Sequence, residues 1–109
     1  MCGIAGFCNW GRENPHADTE SWEKNIRKMN ERMKHRGPDA SGIWASPDRS
    51  VVFGHRRLAI VDLSEKGAQP MVSHSGRYVI TYNGEIYNYK EIAQTLLYEK
   101  KVTTFRGSS

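Results

Sequence analysis

The chain has little cysteine, two residues in 109, and only four prolines. So few thiols cannot build the disulfide framework on which small secreted domains depend. Cys2 and Cys8 are six positions apart in a stretch that reads as extended, about 20 Å of chain at ~3.3 Å per residue, whereas bridged Cα atoms lie within about 7 Å of each other. No disulfide between them is expected. The two cysteines also lack the close spacing of a zinc site, and His16, His35, His55 and His74 are scattered, so no metal is expected. Missing too are an apolar run of the ~20 residues that span a bilayer and the charged, apolar and small-residue pattern of a secretory signal. A reduced, cytoplasmic setting without membrane contact follows as the expectation, one in which a free thiol persists. Repeats, low-complexity tracts and interdomain linkers are absent as well.

What is present is globular in composition. Hydrophobic residues make up 38% of the chain and charged residues 26%, close enough to ordinary averages to argue against disorder. A chain of this length forms at most one domain and buries roughly two thirds of its extended surface, enough for one small core. The net charge is +4, which raises the question of nucleic acid. The sixteen basic residues are spread along the chain, densest at Lys34-His35-Arg36 and His55-Arg56-Arg57, whereas phosphate binding favours a contiguous stripe. A solvated basic surface is the better reading, and no nucleic-acid partner is expected.

The periodicities alternate between strand and helix. Residues 2–7 read as a strand. Asp18 or Thr19 is placed to cap a helix whose apolar residues Trp22, Ile26, Met29 and Met33 recur at helical spacing, and Gly37-Pro38 is expected to end it, with glycine in the left-handed conformation. Residues 43–45 and 51–58 read as a hairpin turned by Ser46-Pro47-Asp48-Arg49, where proline presets one dihedral and the aspartate bonds its own backbone. A further strand over 78–82 leads into Asn83-Gly84, read as a sharp turn at positive φ. Asn88 is expected to cap a second helix carrying Tyr89, Ile92, Ala93, Leu96 and Leu97 on one face. Hairpins and two amphipathic helices together predict an α+β fold.

One residue stands apart chemically. If Met1 is removed, Cys2 carries a thiol and a free α-amine together, a nucleophile with its own base, since the ordinary titration ranges of the two groups lie close enough for proton exchange. Alone, Cys2 reads rather as an inert packed thiol. Three other segments change that balance: His35-Arg36-Gly37-Pro38-Asp39, Gly54-His55-Arg56-Arg57-Leu58-Ala59-Ile60-Val61-Asp62 and Tyr82-Asn83-Gly84-Glu85-Ile86-Tyr87-Asn88. With Met1-Cys2-Gly3-Ile4 they resemble, in order and spacing, the glutaminase domain of class II glutamine amidotransferases of the asparagine synthetase type. The resemblance covers essentially the whole chain.

It implies part of an N-terminal nucleophile hydrolase fold, a four-layer α/β/β/α sandwich with antiparallel sheets. It implies that Cys2 attacks the side-chain amide carbon of glutamine. The oxyanion donors would be the Asn83 side-chain amide and the Gly84 N–H. Arg57 would grip the α-carboxylate through its planar fork of donors, with Leu58, Ala59, Ile60, Val61 and Glu85 lining the glutamine pocket. Arg56 reads as an ordinary surface arginine. In the His35–Asp39 motif, helix termination explains Gly37 and Pro38, and no site role is assigned to it.

Relatives of this type continue into an aspartate that pairs with the glutamine α-ammonium, then into further glutaminase structure and an ATP-dependent synthetase domain. Residues 1–109 therefore read as an incomplete glutaminase domain, with ATP and magnesium expected only in the missing part. The partners expected are glutamine, the absent synthetase domain and, through uncovered edges and apolar faces such as Trp22, Ile26 and Leu96, a second copy of the chain. The rival readings are an inactive fragment that serves only as a folding or association module and, more distantly, a basic nucleic-acid-binding module.

Overall fold

The amphipathic spacing around Ile26 produces helix α1, Thr19–Arg32, and the extended stretches pair into two antiparallel sheets. The computed structural model describes residues 1–8, 19–59, 64–102 and 105. In chain order the elements are β1 (Gly3–Cys8), α1, β2 (Ala40–Ala45), β3 (Val51–Arg57), a 3-10 turn (Glu65–Gly67), β4 (Met71–Val72), β5 (Val79–Ile80) and α2 (Tyr89–Tyr98). β3 is the centre of a three-stranded sheet, with β1 on one side and β2 on the other. β4 and β5 form a separate two-stranded ladder. The architecture is α+β with antiparallel sheets.

The core lies where α1 crosses β3. Ile26 and Val52 are fully buried, and Gly54 lies so close under α1 that a β-carbon there would collide with Ile26 and Asn30. Burying an isoleucine side chain of this kind contributes about 1.5–3 kcal/mol. Asn30, also buried, ties the helix to β2 by donating from Nδ2 to Ser41 Oγ at 3.1 Å and to the Gly42 carbonyl at 3.0 Å. On the opposite face of β3, the cross-strand pair Trp44 and Phe53 brings two rings to 5.7 Å between centroids.

The hairpin turn forms as expected from its sequence. The Asp48 carboxylate accepts from the Ser50 N–H at 3.0 Å and from the Ser46 and Ser50 hydroxyls, which holds it down to about 2 from its ordinary 3.8. Arg49 takes a positive φ of 58° to close the turn.

Several local expectations are corrected. Helix α1 stops at Arg32 and unwinds through successive i to i−3 bonds, from Met33 to Asn30, Lys34 to Glu31, Arg36 to Met33 and Gly37 to Lys34. Gly37 is not left-handed; its lack of a side chain matters because the backbone of Arg56 and Arg57 passes directly against it. Asn83 and Gly84 have no positive φ either. Among the described residues the left-handed glycine is Gly76, φ 75°, in the connection from β4 to β5. The strand expected over 78–82 shrinks to two residues, because only Met71–Val72 pairs with it. Asn88 occupies the cap position of α2 without a side-chain capping bond. Thr19 lies inside α1 rather than before it, and Asp18 falls outside the described residues.

Ile26 is also not an uncovered apolar residue, and Trp22 is half-buried. The expectation of an uncovered face holds instead for α2, which has no buried residue and exposes Tyr89, Ile92 and Leu97. Among the described residues no helix is long and apolar enough to cross a membrane.

Candidate active site

Strand register decides which side of the sheet each motif residue faces. Gly3 pairs with Arg56 and Ile4 with His55. Because side chains alternate along strands, Gly3, Gly54 and Arg56 face α1, whereas Cys2, His55 and Arg57 face the other way. Gly3 indeed backs onto Met33, whose Sδ would lie 3.0 Å from a β-carbon placed on it.

The half-buried Cys2 thiol meets the main chain just beyond β3. The Leu58 N–H donates to Cys2 Sγ at 3.3 Å, and the thiol reaches the Leu58 carbonyl at 3.7 Å. The sulfur is thus oriented by backbone, a contact that a change of side chain at position 58 would leave in place. The Cys2 carbonyl is gripped from two sides: Asn83 Nδ2 donates to it at 3.0 Å and Arg36 Nε at 3.2 Å. Both donors come from loops, and both converge on the start of an edge strand.

Asn83 is itself held in place by its predecessor. The Tyr82 carbonyl lies 3.3 Å from Nε2 of His55, and the Tyr82 N–H donates to Gln69 Oε1 at 2.6 Å. His55 is almost wholly buried, 1% exposed, in the middle of β3. Burial, reinforced by the nearby Arg57 charge, lowers its pKa below the ordinary 6.5, although the Tyr82 carbonyl pulls the other way.

The two adjacent arginines point to opposite faces. Arg57, 8% exposed, donates from Nη1 to the Ser64 carbonyl at 2.6 Å. Arg56 is corrected from a surface residue: it is equally buried and donates from Nε to the Gly37 carbonyl at 2.9 Å. Consecutive residues of a central strand cannot both face solvent when each side of the sheet is covered.

The His35–Asp39 motif does more than end a helix. Arg36 reaches the Cys2 carbonyl, Gly37 accepts from Arg56, and Asp39 binds β3 and its exit twice, its N–H to the Arg57 carbonyl at 3.0 Å and its Oδ2 accepting from the Ala59 N–H at 2.8 Å. Arg36, Asp39, His55 and Gln69 are the site neighbours that residue patterns alone did not single out. For Arg36, Asp39 and His55 the available signal was the co-occurrence of their motifs with the Cys2 motif in one chain; Gln69 lies in none of these motifs and carried no such signal.

Of the expected pocket residues, Leu58 contacts the thiol and Ala59 is tethered to Asp39. Ile60 and Val61 lie outside the described residues. Gly84 and Glu85 follow Asn83 on an exposed segment, and Glu85 has no hydrogen-bond partner among the described residues. Both cysteines are free thiols. Among the described residues no three His, Cys, Asp or Glu side chains gather closely enough to hold a metal.

The geometry thus brings a free thiol together with amide and guanidinium donors at the main-chain carbonyl of the same residue. The sequence model of the glutamine amidotransferase domain matches residues 1–109. The chain is similar to the glutamine-hydrolyzing asparagine synthetase 1 of Bacillus subtilis (strain 168), with 43% identity over 109 residues, 100% of this chain and 16% of that protein. It is similar to the glutamine-hydrolyzing asparagine synthetase 1 of Saccharomyces cerevisiae, with 40% identity over 95 residues, 86% of this chain and 15% of the relative. Amidase chry2 of Gibberella zeae is 34% identical over 113 residues, covering 100% of this chain and 16% of its own length. The chain thus spans less than a fifth of the length of these relatives. No solved structure matches it. With the whole of its length matched and its Cys2, Arg57 and Asn83 motifs gathered on one side of β3, the chain belongs to the glutamine amidotransferase domain family.

Proposed function

We propose that these residues are the glutamine-hydrolysing part of a longer asparagine synthetase, releasing ammonia that the rest of the polypeptide uses to convert aspartate to asparagine. The contact between Asn83 Nδ2 and the Cys2 carbonyl carries this reading, because it brings an amide donor to the residue that bears the nucleophile. A side-chain NH2 has two hydrogens. One bonds Cys2, which leaves the other for an oxyanion formed at the neighbouring sulfur.

The step begins with removal of Met1, which is 74% exposed. The new α-amine takes the thiol proton, and the thiolate attacks the glutamine side-chain carbon. Asn83 Nδ2 and the Gly84 N–H stabilise the tetrahedral oxyanion. The carbon–nitrogen bond then breaks, the amine returns its proton to the departing ammonia, and a γ-glutamyl thioester on Cys2 remains. Water hydrolyses it to glutamate and regenerates the thiol. Arg57 binds the substrate α-carboxylate, exchanging its bond to the Ser64 carbonyl for a stronger charged pair, with Leu58, Ala59, Ile60, Val61 and Glu85 around the rest of the substrate. ATP and magnesium serve aspartate activation elsewhere in the polypeptide.

Cys2→Ala in the full-length protein tests this reading. Glutamine-dependent asparagine formation is expected to disappear while ammonia-dependent formation persists. Continued ammonia release from glutamine by the alanine variant would refute the assignment of Cys2.

A further inference from the structure

The main chain of Tyr82 lies in neither a helix nor a strand, yet both of its polar groups are held by side chains from elsewhere in the fold. His55 approaches its carbonyl from the centre of β3, and Gln69 accepts its N–H from the segment between the 3-10 turn and β4. A carbonyl oxygen can only accept, so the hydrogen of this bond sits on Nε2 of the imidazole. Burial and the neighbouring Arg57 charge favour the neutral ring, which suits a single directed donor. Gln69 can approach because residue 42 is glycine; a β-carbon there would run into the Gln69 carbonyl.

We propose that His55 and Gln69 clamp the Tyr82 main chain and so act as positioning residues for the oxyanion donors Asn83 and Gly84. The proposal rests on the oxyanion reading of Asn83. The Tyr82 carbonyl and the Asn83 N–H belong to one planar peptide unit, so fixing the carbonyl fixes the point from which the Asn83 side chain springs. Asn83 then spans 3.0 Å to the Cys2 carbonyl. Hydrogen-bond donation to a developing oxyanion tolerates little misplacement, and a shift of about 1 Å can cost on the order of 10²-fold in rate. Neither clamp residue touches the substrate. Their effect is expected mainly on the turnover step, since they act through the oxyanion donors and Arg57 is held by its own bond to the Ser64 carbonyl.

The test is steady-state glutamine hydrolysis by the full-length protein carrying His55→Leu, His55→Gln or Gln69→Met, alone and combined with Asn83→Ala. Leucine and methionine keep bulk and remove the hydrogen bond, whereas glutamine restores an N–H close to the place of Nε2. His55→Leu and Gln69→Met are each expected to lower kcat by about 10- to 100-fold with KM changed by less than about threefold, and His55→Gln to recover most of the loss. In the Asn83→Ala background His55→Leu should lower kcat by clearly less than it does alone, because one of the two donors it positions is already gone. Should His55→Leu fail to fold, Gln69→Met carries the same expectation from the opposite side of the clamp. A wild-type kcat in the foldable clamp variants beside a slow Asn83→Ala, or full additivity in the double variant, would overturn the clamp alone. A wild-type kcat in Asn83→Ala would overturn the oxyanion reading and the clamp with it.

Discussion

The side-chain amide of Asn83 donates to the carbonyl oxygen of Cys2 at 3.0 Å, a bond between residues 81 positions apart that ties the loop after β5 to the residue leading into β1. Arg36 donates to the same oxygen at 3.2 Å. The Cys2 backbone is therefore held by one neutral and one charged donor, which fixes the start of β1 against two loops.

Asn83→Ala is expected to lower kcat for glutamine hydrolysis by about 10² to 10³, the usual cost of one oxyanion donor, whereas Arg57→Ala is expected mainly to raise KM. Steady-state assays on both variants separate the roles, and the reverse pattern would mean they are exchanged.

Arg36→Met removes one of the two bonds to the Cys2 carbonyl without touching the thiol. Because Arg36 is exposed, the loss is expected to be modest, about 3- to 10-fold in kcat, corresponding to a net hydrogen bond of about 0.5–1.5 kcal/mol. A rate equal to that of the wild type would mean that Asn83 alone suffices to hold the carbonyl.

His55 makes stability depend on pH. Its folded pKa is lowered, so the unfolded chain binds more protons as the solution turns acid; its contribution is fully present above 6.5 and is lost as pH falls through the depressed folded value. The thermal midpoint should therefore fall on the acid side of 6.5, and His55→Gln should flatten that part of the curve. A curve unchanged by the substitution would assign the acid sensitivity to other groups.

Asp48 acts in the same direction at lower pH. With its carboxyl held at about 2 by the serine bonds, its support of the hairpin turn is present above 3.8 and is lost as pH falls through about 2. Asp48→Asn should remove this dependence in thermal melts between those values.

Ile26→Ala opens the contact between α1 and β3 at a side chain with no exposure. The expected cost is about 2–5 kcal/mol, read as a lowered denaturation midpoint. A loss under about 1 kcal/mol would mean that the helix settles into the gap.

Local chemistry was legible in the residues themselves. The spacing of Trp22, Ile26 and Met29 specified the buried face of α1, Pro47 and Asp48 specified the hairpin turn, and the four motifs identified the family and singled out Cys2, Arg57 and Asn83. These follow from periodicity, dihedral preference and side-chain chemistry, which act over a few residues. What only the tertiary structure decided were relationships across long separations. Arg56 looked like a surface residue because its burial depends on α1 and the 33–37 turns covering that side of β3, and no local pattern reports what covers a strand. Gly37 looked like a left-handed stop, yet what it accommodates is the backbone of Arg56 and Arg57. Asn83-Gly84 looked like a turn at positive φ, but the bonds from His55 and Gln69 to Tyr82 hold that segment in another conformation. Strand register then set which residues meet: the pairing of Gly3 with Arg56 puts Cys2 and Arg57 on one face, and a slip of a single residue would have sent them to opposite sides.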